Sequence, residues 1–544
     1  MTKYIFITGG VISSLGKGIA AATTGALLQA RGFKVKLRKL DPYLNVDPGT
    51  MSPIEHGEVF VTDDGTEGDL DLGYYERFTA VDTTKHDTIT TGKIHESLIR
   101  KERRGEFLGR NVQIVPDVTN AISNFILYSG DGDVDFVILE IGGTVGDIEG
   151  LPFFEAIGQL GFKLGHSEAC FVHLTYLPFI LAAEELKTKP TQHSVKVLRS
   201  LGIQPDILLC RSDVEIPERQ LKKISLFCNV ERENVIPAPN VDNIYKIPLV
   251  YGNNGLDRQI LECLGMKDSL KVDLSIWQEI ANTINHPRGS VKIALVGKYT
   301  NHKDSYKSLV EAIGHGGIAN GISTEIVWVN SRITNSQDKI ENSLKGVDGI
   351  IVPGGFGFDG IEGKILAIEY ARKNNIPFLG ICLGMQLAVM EFARNVLHIK
   401  DADSTEFSRN TNNPVVALIT EMEKNGKKEI RDENSDLGGT MRLGGYNALL
   451  KEGSLIRKIY GTSVIRERHR HRYEVNVSYV RQFEENGLIF SGVSKESGLL
   501  ECVEIPANKF FIATQFHPEL TSRPFSVGPL FRELVRSCFS EHSR

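Results

Sequence analysis

A chain of 544 residues is too long for one hydrophobic core and long enough for several domains at roughly 100–200 residues each. Hydrophobic residues at 41% and charged residues at 24% place it with folded globular proteins and exclude disordered, collagenous and low-complexity classes. With 62 Lys plus Arg against 68 Asp plus Glu, a formal charge of -6, it has no basic field to hold nucleic acid or an anionic membrane, so any anion has to be gripped locally.

The seven cysteines are odd in number and form no CxxC pair, which argues against a zinc site and a disulfide framework and for a reducing, cytoplasmic setting. No apolar run approaches the ~20 residues of a membrane helix. The N-terminal YIFI is too short for a signal-peptide core. A soluble protein that is not exported is expected.

From the N-terminus, Tyr4 to Thr8 reads as a strand, GGVISSLGKG as a glycine-rich loop and Ala20 to Ala30 as a helix. Backbone N–H groups and a helix N-terminus would then face an anion, with Lys17 adding a charge, as in a phosphate loop. The match to G-x4-G-K-S/T is incomplete: Gly10 and Gly16 enclose five residues, and Gly18 stands where a Ser or Thr would ligate magnesium. The metal then needs oxygens from elsewhere. Hard Mg2+ takes one or two carboxylates with phosphate and water, and Asp71 in DLDLG (69–73) and Glu140, ending the strand VILE before Gly142, are the candidates. Glu140 should emerge at the carboxyl edge of a sheet, where α/β ligands bind.

Further strands are expected at KVKLRKL (34–40), DFVILEIGG (135–143), CFVHLTY (170–176) and DILLCRS (206–212), with helical stretches between them; that alternation predicts a mostly parallel, doubly wound sheet. KTKPTQHSVK (187–196) sets Lys187 and Lys189 around Thr188, with Thr191 and Gln192 as further donors, enough to clamp a second polyanion. Taken alone, such a run is more often a solvated basic loop.

The polar stretch 268–290, ending in Pro287 and Gly289, reads as a linker between residues 1–267 and 291–544. A second α/β series follows in VKIALVG (291–297), GIIVPGGFG (349–357), IPFLGICLG (376–384), PVVALIT (414–420), LIFSGVS (488–494) and FFIATQFHPE (510–519). The fold class expected is α/β, with two doubly wound, mostly parallel-sheet domains.

The pattern G-x-C-x-G around Cys382 matches a nucleophile elbow, whose glycines permit the sharp turn that exposes a nucleophile at a helix N-terminus and favours its thiolate. FHPE supplies His517 as base, with Glu519 two residues on, on the same side of an extended segment, to orient it. Backbone N–H groups of Gly355 and Leu383 are candidates for an oxyanion hole. ERHRHRYE (467–474) is the strongest local basic cluster, too short and without an aromatic residue before Tyr473 for a nucleic-acid patch; its alternation puts the arginines on one face of a surface or interface strand.

Longer strings are more specific than these general motifs. GGVISSLGKGIA, KLDPYLNVDPGTMSPIEHGEVF, DLDLGYYERF, EIGGTVGDIE, KTKPTQHSVK, VPGGFG, GICLGMQ, SDLGGTMRLG, RHRHRYEVN and QFHPE resemble, almost end to end, the CTP synthase family of glutamine-hydrolysing enzymes that aminate UTP. The N-terminal half is similar to the synthase domain related to dethiobiotin synthetase-type phosphate-loop enzymes, the C-terminal half to class I glutamine amidotransferases. The resemblance implies that ATP phosphorylates O4 of the uracil and that ammonia from glutamine displaces the phosphate at carbon 4. It implies that Ser14, Leu15, Gly16, Lys17, Gly18, Ile19, Lys39, Asp71 and Val241 contact ATP, with Asp71 and Glu140 on Mg2+. Ser13, Lys187, Thr188, Lys189, Pro190, Thr191, Gln192 and Lys223 would hold the UTP phosphates, and Asp147, Ile148 and Glu149 a site for the product CTP. Gly355, Leu383, Gly384, Met385, Gln386, Glu406 and Arg472 would bind glutamine around Cys382, His517 and Glu519, and His56 and Val59 would line an internal passage for ammonia. Gly18 is the family's own pattern. A homotetramer, GTP as activator and CTP as feedback inhibitor are also implied, with no nucleic-acid or membrane partner.

Two other readings compete. One is an amidoligase acting on a carboxylate, as in cobyrinate-type synthases, which also fuse a phosphate-loop domain to a glutaminase; KTKPTQHSV and LDPYLNVDPGTMSP argue against it. The other is a filament-forming or regulatory protein, against which the intact Cys382, His517 and Glu519 stand. AVDTTKHDTI (80–89) matches no motif.

Overall fold

Runs such as YIFIT and FVILEI carry apolar residues at successive positions, so both faces of each strand need covering, and the chain supplies helices for both. The computed structural model describes residues 2–128, 130, 132–267, 271–418, 421–424, 427–430 and 441–539. It divides into two units, residues 1–47 with 71–281 and residues 48–70 with 282–544.

In the first unit, β1 (Lys3–Gly9), β2 (Val35–Asp41), β3 (Thr88–Thr90), β4 (Phe136–Ile141), β5 (Ala169–Tyr176), β6 (Ile207–Ser212) and β7 (Val235–Pro239) form a seven-stranded sheet in the order β7-β6-β5-β1-β4-β2-β3. Every pairing is parallel. The order reverses beside β1, which pairs with both β4 and β5, so a crevice opens at its carboxyl end. Helices α1 (Lys17–Ala30) and α2 (Asp71–Thr79) pack together, while α3 (Thr119–Ile126) and α4 (Leu151–Leu164) bury Ile122, Ile126, Phe153 and Ile157 against Phe6, Leu139 and Ile141 of the sheet. Two further helices, α5 (Lys189–Ser200) and α6 (Glu218–Cys228), complete the part that concerns the site.

The stretch expected to be a linker contains a helix, α7 (Ser275–Asn285). Trp277, Ile280 and Ala281 make an apolar stripe at i, i+3 and i+4, and Trp277 packs 5.4 Å from the ring of Phe78. Residues 268–270 of that stretch lie outside the described residues. A second difference from a single cut is that residues 48–70, with a short helix Pro53–His56 and the paired strands Phe60–Val61 and Glu67–Gly68, belong with the second unit.

That unit holds β8 (Ser290–Gly297), β9 (Ser323–Asn330), β10 (Gly349–Val352), β11 (Phe378–Ile381), β12 (Arg442–Leu450), β13 (Val464–His471), β14 (Ile489–Ser494), β15 (Leu500–Glu504) and β16 (Phe511–Thr514) in one sheet, ordered β9-β8-β10-β11-β16-β15-β14-β12-β13. The first five are parallel; the last four extend the sheet antiparallel. Helices α8 (Lys307–Asn320) and α11 (Pro529–Phe539) cover one face, and α9 (Ile361–Lys373) and α10 (Leu383–Asn395) the other. PVVALIT contributes Asn413–Leu418 to a separate three-stranded sheet with Ala402–Ser404 and Tyr473–Val475. Residues 435–440 of SDLGGTMRLG lie outside the described residues. Among the described residues, no helix is long and apolar enough to cross a membrane.

Candidate active sites

At the end of β1 the chain turns through the glycine-rich loop into α1, with positive φ at Val11 (82°), Ser14 (55°) and Gly16 (89°); only at Gly16 is that conformation free of steric cost. Arg211, at the carboxyl end of β6, steadies the loop by donating Nη1 to Leu15 O at 2.7 Å and Nη2 to Asn240 Oδ1 at 2.5 Å, next to Val241. Sequence reasoning missed Arg211; its place at the end of a predicted strand was the available signal. Lys17 donates Nζ to Gly143 O at 2.6 Å. Burial pulls its pKa down, with Glu140 and Asp71 opposing.

The incomplete loop motif now has a physical cause. A Cβ on Gly18 would lie 1.9 Å from Asp71 Oδ1, so the place where a Ser or Thr would stand is filled by a carboxylate from the first residue of α2. Lys39, buried in β2, pairs with Asp71, with Glu140 at 2.8 Å and with Asp41 at 3.6 Å. Tyr75 donates its hydroxyl to the second Glu140 oxygen at 2.5 Å. Burial first, then the charge of Asp71, raises the Glu140 pKa to about 7 against the pull of Lys39 and Lys17. Two carboxylates beside an anion loop are hard oxygen donors that fit a magnesium ion completing its shell with phosphate and water. Among the described residues, no group of three His, Cys, Asp or Glu forms a cage that would hold a metal alone.

The second basic segment is split by the fold. Thr191 and Gln192 are buried at the start of α5, bonded to Thr175 at 3.1 Å and to Thr188 at 3.1 Å. Lys187 pairs with Glu185. Lys189 and Gln192 line an open groove with Lys196, Arg199 and Phe227, whereas Lys223 stands exposed on α6 outside that lining. Asp147 accepts the Thr144 N–H at 3.0 Å, and Ile148 and Glu149 are exposed.

In the second unit Cys382 joins β11 to α10 with φ 53° and ψ -104°, a strained backbone for a residue bearing a side chain. Gly384 is dictated by space, since a Cβ there would lie 2.1 Å from Val352 O. Arg470 O and Gln515 Nε2 each lie 3.7 Å from the Cys382 sulfur; Gln515 is a further residue the sequence did not single out. FHPE is not extended as expected. Pro518, with its fixed φ, opens a 3-10 turn Pro518–Leu520, and Glu519 reaches His517 through that turn, Oε1 to Nδ1 at 2.7 Å. Burial alone would lower the imidazole pKa; Glu519 and Cys382 outweigh it and push it up to about 10. The ring is therefore an imidazolium at neutral pH, the partner a reactive thiolate needs.

A cavity of about 160 Å³ lies over this group, lined by Gly355, Phe356, Cys382, Arg470, His517 and Val59 among others. Leu383 opens α10, where a helix leaves its first N–H groups without intrahelical acceptors. Gln386 is buried, donating to Tyr473 O at 2.9 Å and to Gln515 Oε1 at 3.2 Å, and Met385 packs in the core, so it offers the cavity no side chain. Glu406 accepts the Gly357 N–H at 2.6 Å; burial raises its pKa, with Gly357, Lys298 and Arg472 opposing. The Arg472 pKa is lowered by burial.

The basic cluster is explained by residues 48–70. Arg468 and Arg470 share one face of β13, as the alternation implied, and Arg466, just before the cluster, shares it too, whereas Arg472 follows the end of the strand. Arg466, Arg468 and Arg470 hold that segment: Arg466 bonds Asp63 at 2.7 Å, Arg468 bonds Val61 O at 3.1 Å, and Arg470 bonds Glu67 at 2.7 Å and Gly49 O at 2.9 Å. His469 and His471 on the other face are buried, their pKa values driven well down by burial and by Arg442. Ser305 adds a bond to Pro53 O at 2.8 Å. Val59 thus becomes part of the cavity wall, while His56 lies outside that lining with Nε2 3.4 Å from Asp69.

A family model of the CTP synthase N-terminus matches residues 3–266, and one of class-I glutamine amidotransferases matches residues 301–537. The chain is 58% identical over 541 residues to a CTP synthase of Parvibaculum lavamentivorans, covering 99% of each. It is 55% identical over 546 residues to one of Phenylobacterium zucineum, covering 100% of each. Among solved structures, the glutaminase domain of Trypanosoma brucei CTPS with bound acivicin is 37% identical and matches 46% of this chain and 94% of its own, with a TM-score of 0.42. Identity above one half along the full length of both sequences, with both family models in order, leads to one conclusion: the chain belongs to the CTP synthase family.

Proposed function

We propose that the chain converts UTP to CTP, using ATP to activate the uracil and glutamine as the source of ammonia, in pyrimidine nucleotide biosynthesis. The observation that carries this reading is the pairing, in one chain, of an anion loop set among Lys17, Lys39, Asp71 and Glu140 with a Cys382, His517 and Glu519 set.

Residues 1–267 supply the synthase chemistry and 291–544 the glutaminase, joined through 268–290, with residues 48–70 carried on the second unit. The Cys382 thiolate attacks the glutamine amide carbon and the carbonyl electron pair moves to oxygen, where the N–H groups of Gly355 and Leu383 receive it. His517 passes its proton to the departing nitrogen, ammonia leaves, and a thioester remains; His517 then takes a proton from the water that releases glutamate. Glu406 and Arg472 match the ammonium and carboxylate of the amino acid.

In the synthase step the γ-phosphoryl group moves to O4 of UTP, ammonia attacks carbon 4, and phosphate leaves. Lys17 offsets charge on the transferring group, and Ser14 to Ile19, Lys39 and Val241 position ATP. A magnesium ion held by Asp71 and Glu140 would neutralise charge on the nucleotide phosphates. Ser13, Lys187 to Gln192 and Lys223 grip the triphosphate of UTP. CTP carries the same triphosphate, so it inhibits by sharing that grip while Asp147, Ile148 and Glu149 receive the rest of the molecule. Val59 and His56 line the ammonia passage, GTP activates glutamine hydrolysis, and the enzyme works as a cytoplasmic homotetramer.

The test is direct: incubate the protein with UTP, ATP, magnesium and glutamine, and follow CTP by ultraviolet difference absorbance. CTP is expected only when all four are present. ATP turnover that ignores UTP and responds to a carboxylate acceptor would instead identify an amidoligase.

A further inference from the structure

A buried lysine stands behind the loop that carries the Gly355 N–H. Lys364 lies on α9 with 1% exposure, donates Nζ to Pro353 O at 3.3 Å, and sits 3.7 Å from the point a Cβ on Gly355 would occupy. Lys298, directly after β8, donates Nζ to Phe356 O at 2.5 Å, while Glu406 takes the Gly357 N–H at 2.6 Å. The C=O and N–H of a planar trans peptide point in opposite directions. The Pro353–Gly354 peptide is therefore held by its oxygen and the Phe356–Gly357 peptide at both ends, so only two peptides, Gly354–Gly355, which bears the donor, and Gly355–Phe356, span the distance between the two held ones.

We propose that Lys364 is a positioning residue for glutamine hydrolysis, its ammonium pinning the Pro353 carbonyl and placing a positive charge behind the Gly355 N–H, so that the loop is set for the oxyanion before glutamine arrives. The proposal rests on Cys382 being the glutaminase nucleophile. Burying a cation is costly, and an apolar side chain would fill the same space without that cost. The charged groups facing Lys364 are Lys298 at the end of β8, Cys382 at the start of α10 and Glu406 after the Ala402–Ser404 strand; burial and Lys298 pull its pKa down to about 7 while Cys382 and Glu406 draw it up. Fixed dipoles with a charge behind them stabilise an oxyanion without reorganising when it forms.

Lys364→Met in the full chain keeps the volume and removes the charge. The glutaminase kcat should fall about tenfold to a hundredfold, with KM for glutamine within about twofold, and CTP formation from ammonium should be unchanged. Glutamate γ-semialdehyde reads the oxyanion directly: the Cys382 thiolate adds to the aldehyde carbon and the carbonyl pair moves to oxygen, with no leaving group to follow. Its inhibition should weaken by the same factor as kcat, and Lys364→Arg should recover part of both. Wild-type kcat and aldehyde affinity in Lys364→Met would overturn the proposal. Should the Met variant also lose ammonium-dependent synthesis, Lys364→Arg decides, recovery supporting the proposal and an equal loss overturning it. Glutaminase activity that survives Cys382→Ala would overturn the underlying assignment of the nucleophile instead.

Discussion

At the phosphate loop charge is balanced inside the protein, with Lys39 set among Asp71, Glu140 and Asp41 and Lys17 held on Gly143 O. At Cys382 the preparation is mostly backbone: a strained φ of 53° at the nucleophile, a helix N-terminus, and a loop fixed through its carbonyls. The first site has to exchange internal partners for those of a nucleotide. The second stabilises a charge that exists only in transit, and needs its donors in place beforehand. The first should therefore respond to whatever competes for its carboxylates, the second to small displacements of groups that bear no charge.

The sharpest break between the two is Lys17→Ala, which should lower CTP formation about a thousandfold from glutamine and from ammonium alike, because Lys17 acts on phosphoryl transfer whatever the nitrogen source. Near-normal turnover with ammonium would remove Lys17 from the reaction. Next in size, Glu519→Gln should cut glutaminase kcat about a hundredfold or more while sparing ammonium-dependent synthesis. Glu519 helps keep His517 charged up to about pH 10, and the imidazolium prevails below that value. Without the carboxylate the alkaline fall of kcat/KM for glutamine should move to lower pH; a stationary limb would show that Cys382 alone sets the proton.

The first site offers a titration instead. With its pKa raised to about 7, Glu140 is protonated below that pH and ionised above it, and a divalent cation competes with that proton. At constant free ammonia and limiting magnesium, ammonium-dependent synthesis should rise with pH through about 7, and the midpoint should move down by about one pH unit per tenfold increase in magnesium once the ion competes directly. A midpoint indifferent to magnesium would place the metal elsewhere. The smallest expected effect is that of Arg466→Ala. Its half-exposed pair with Asp63 should be worth less than about 1 kcal/mol, so thermal stability should barely move and glutaminase activity should stay within about twofold.

Local chemistry was legible where a motif is short and its partners are near in sequence. Gly380, Cys382 and Gly384 announce the elbow, and His517 and Glu519 are two residues apart, although the proline turns what reads as an extended segment into a helical turn. Glycine at position 18 was legible as a departure, but its cause, the Asp71 carboxylate 1.9 Å from where a Cβ would be, depends on a residue far along the chain. The alternation in ERHRHRYE disclosed a shared face for Arg468 and Arg470 without its partners, because Val61 and Glu67, like Asp63 opposite Arg466, sit in a segment that every local signal assigns to the other unit. Lys364 drew no expectation from the sequence, because a single lysine in the stretch GKILA forms no motif, and only the packing of α9 shows it buried. The stripe of α7 was in the sequence, in Trp277, Ile280 and Ala281, and was outweighed by the polar residues around it.

The central claim is that one chain makes ammonia at Cys382 and uses it in a separate phosphoryl-activated step. Glutamine labelled with heavy nitrogen at the amide, supplied with an equal amount of unlabelled ammonium, ATP, UTP and magnesium, tests it by the mass of the CTP formed. The account predicts mostly labelled CTP from the unaltered protein and, from Cys382→Ala, unlabelled CTP at the rate that ammonium alone supports. Labelled CTP from Cys382→Ala, or no CTP from it at all, would contradict the account.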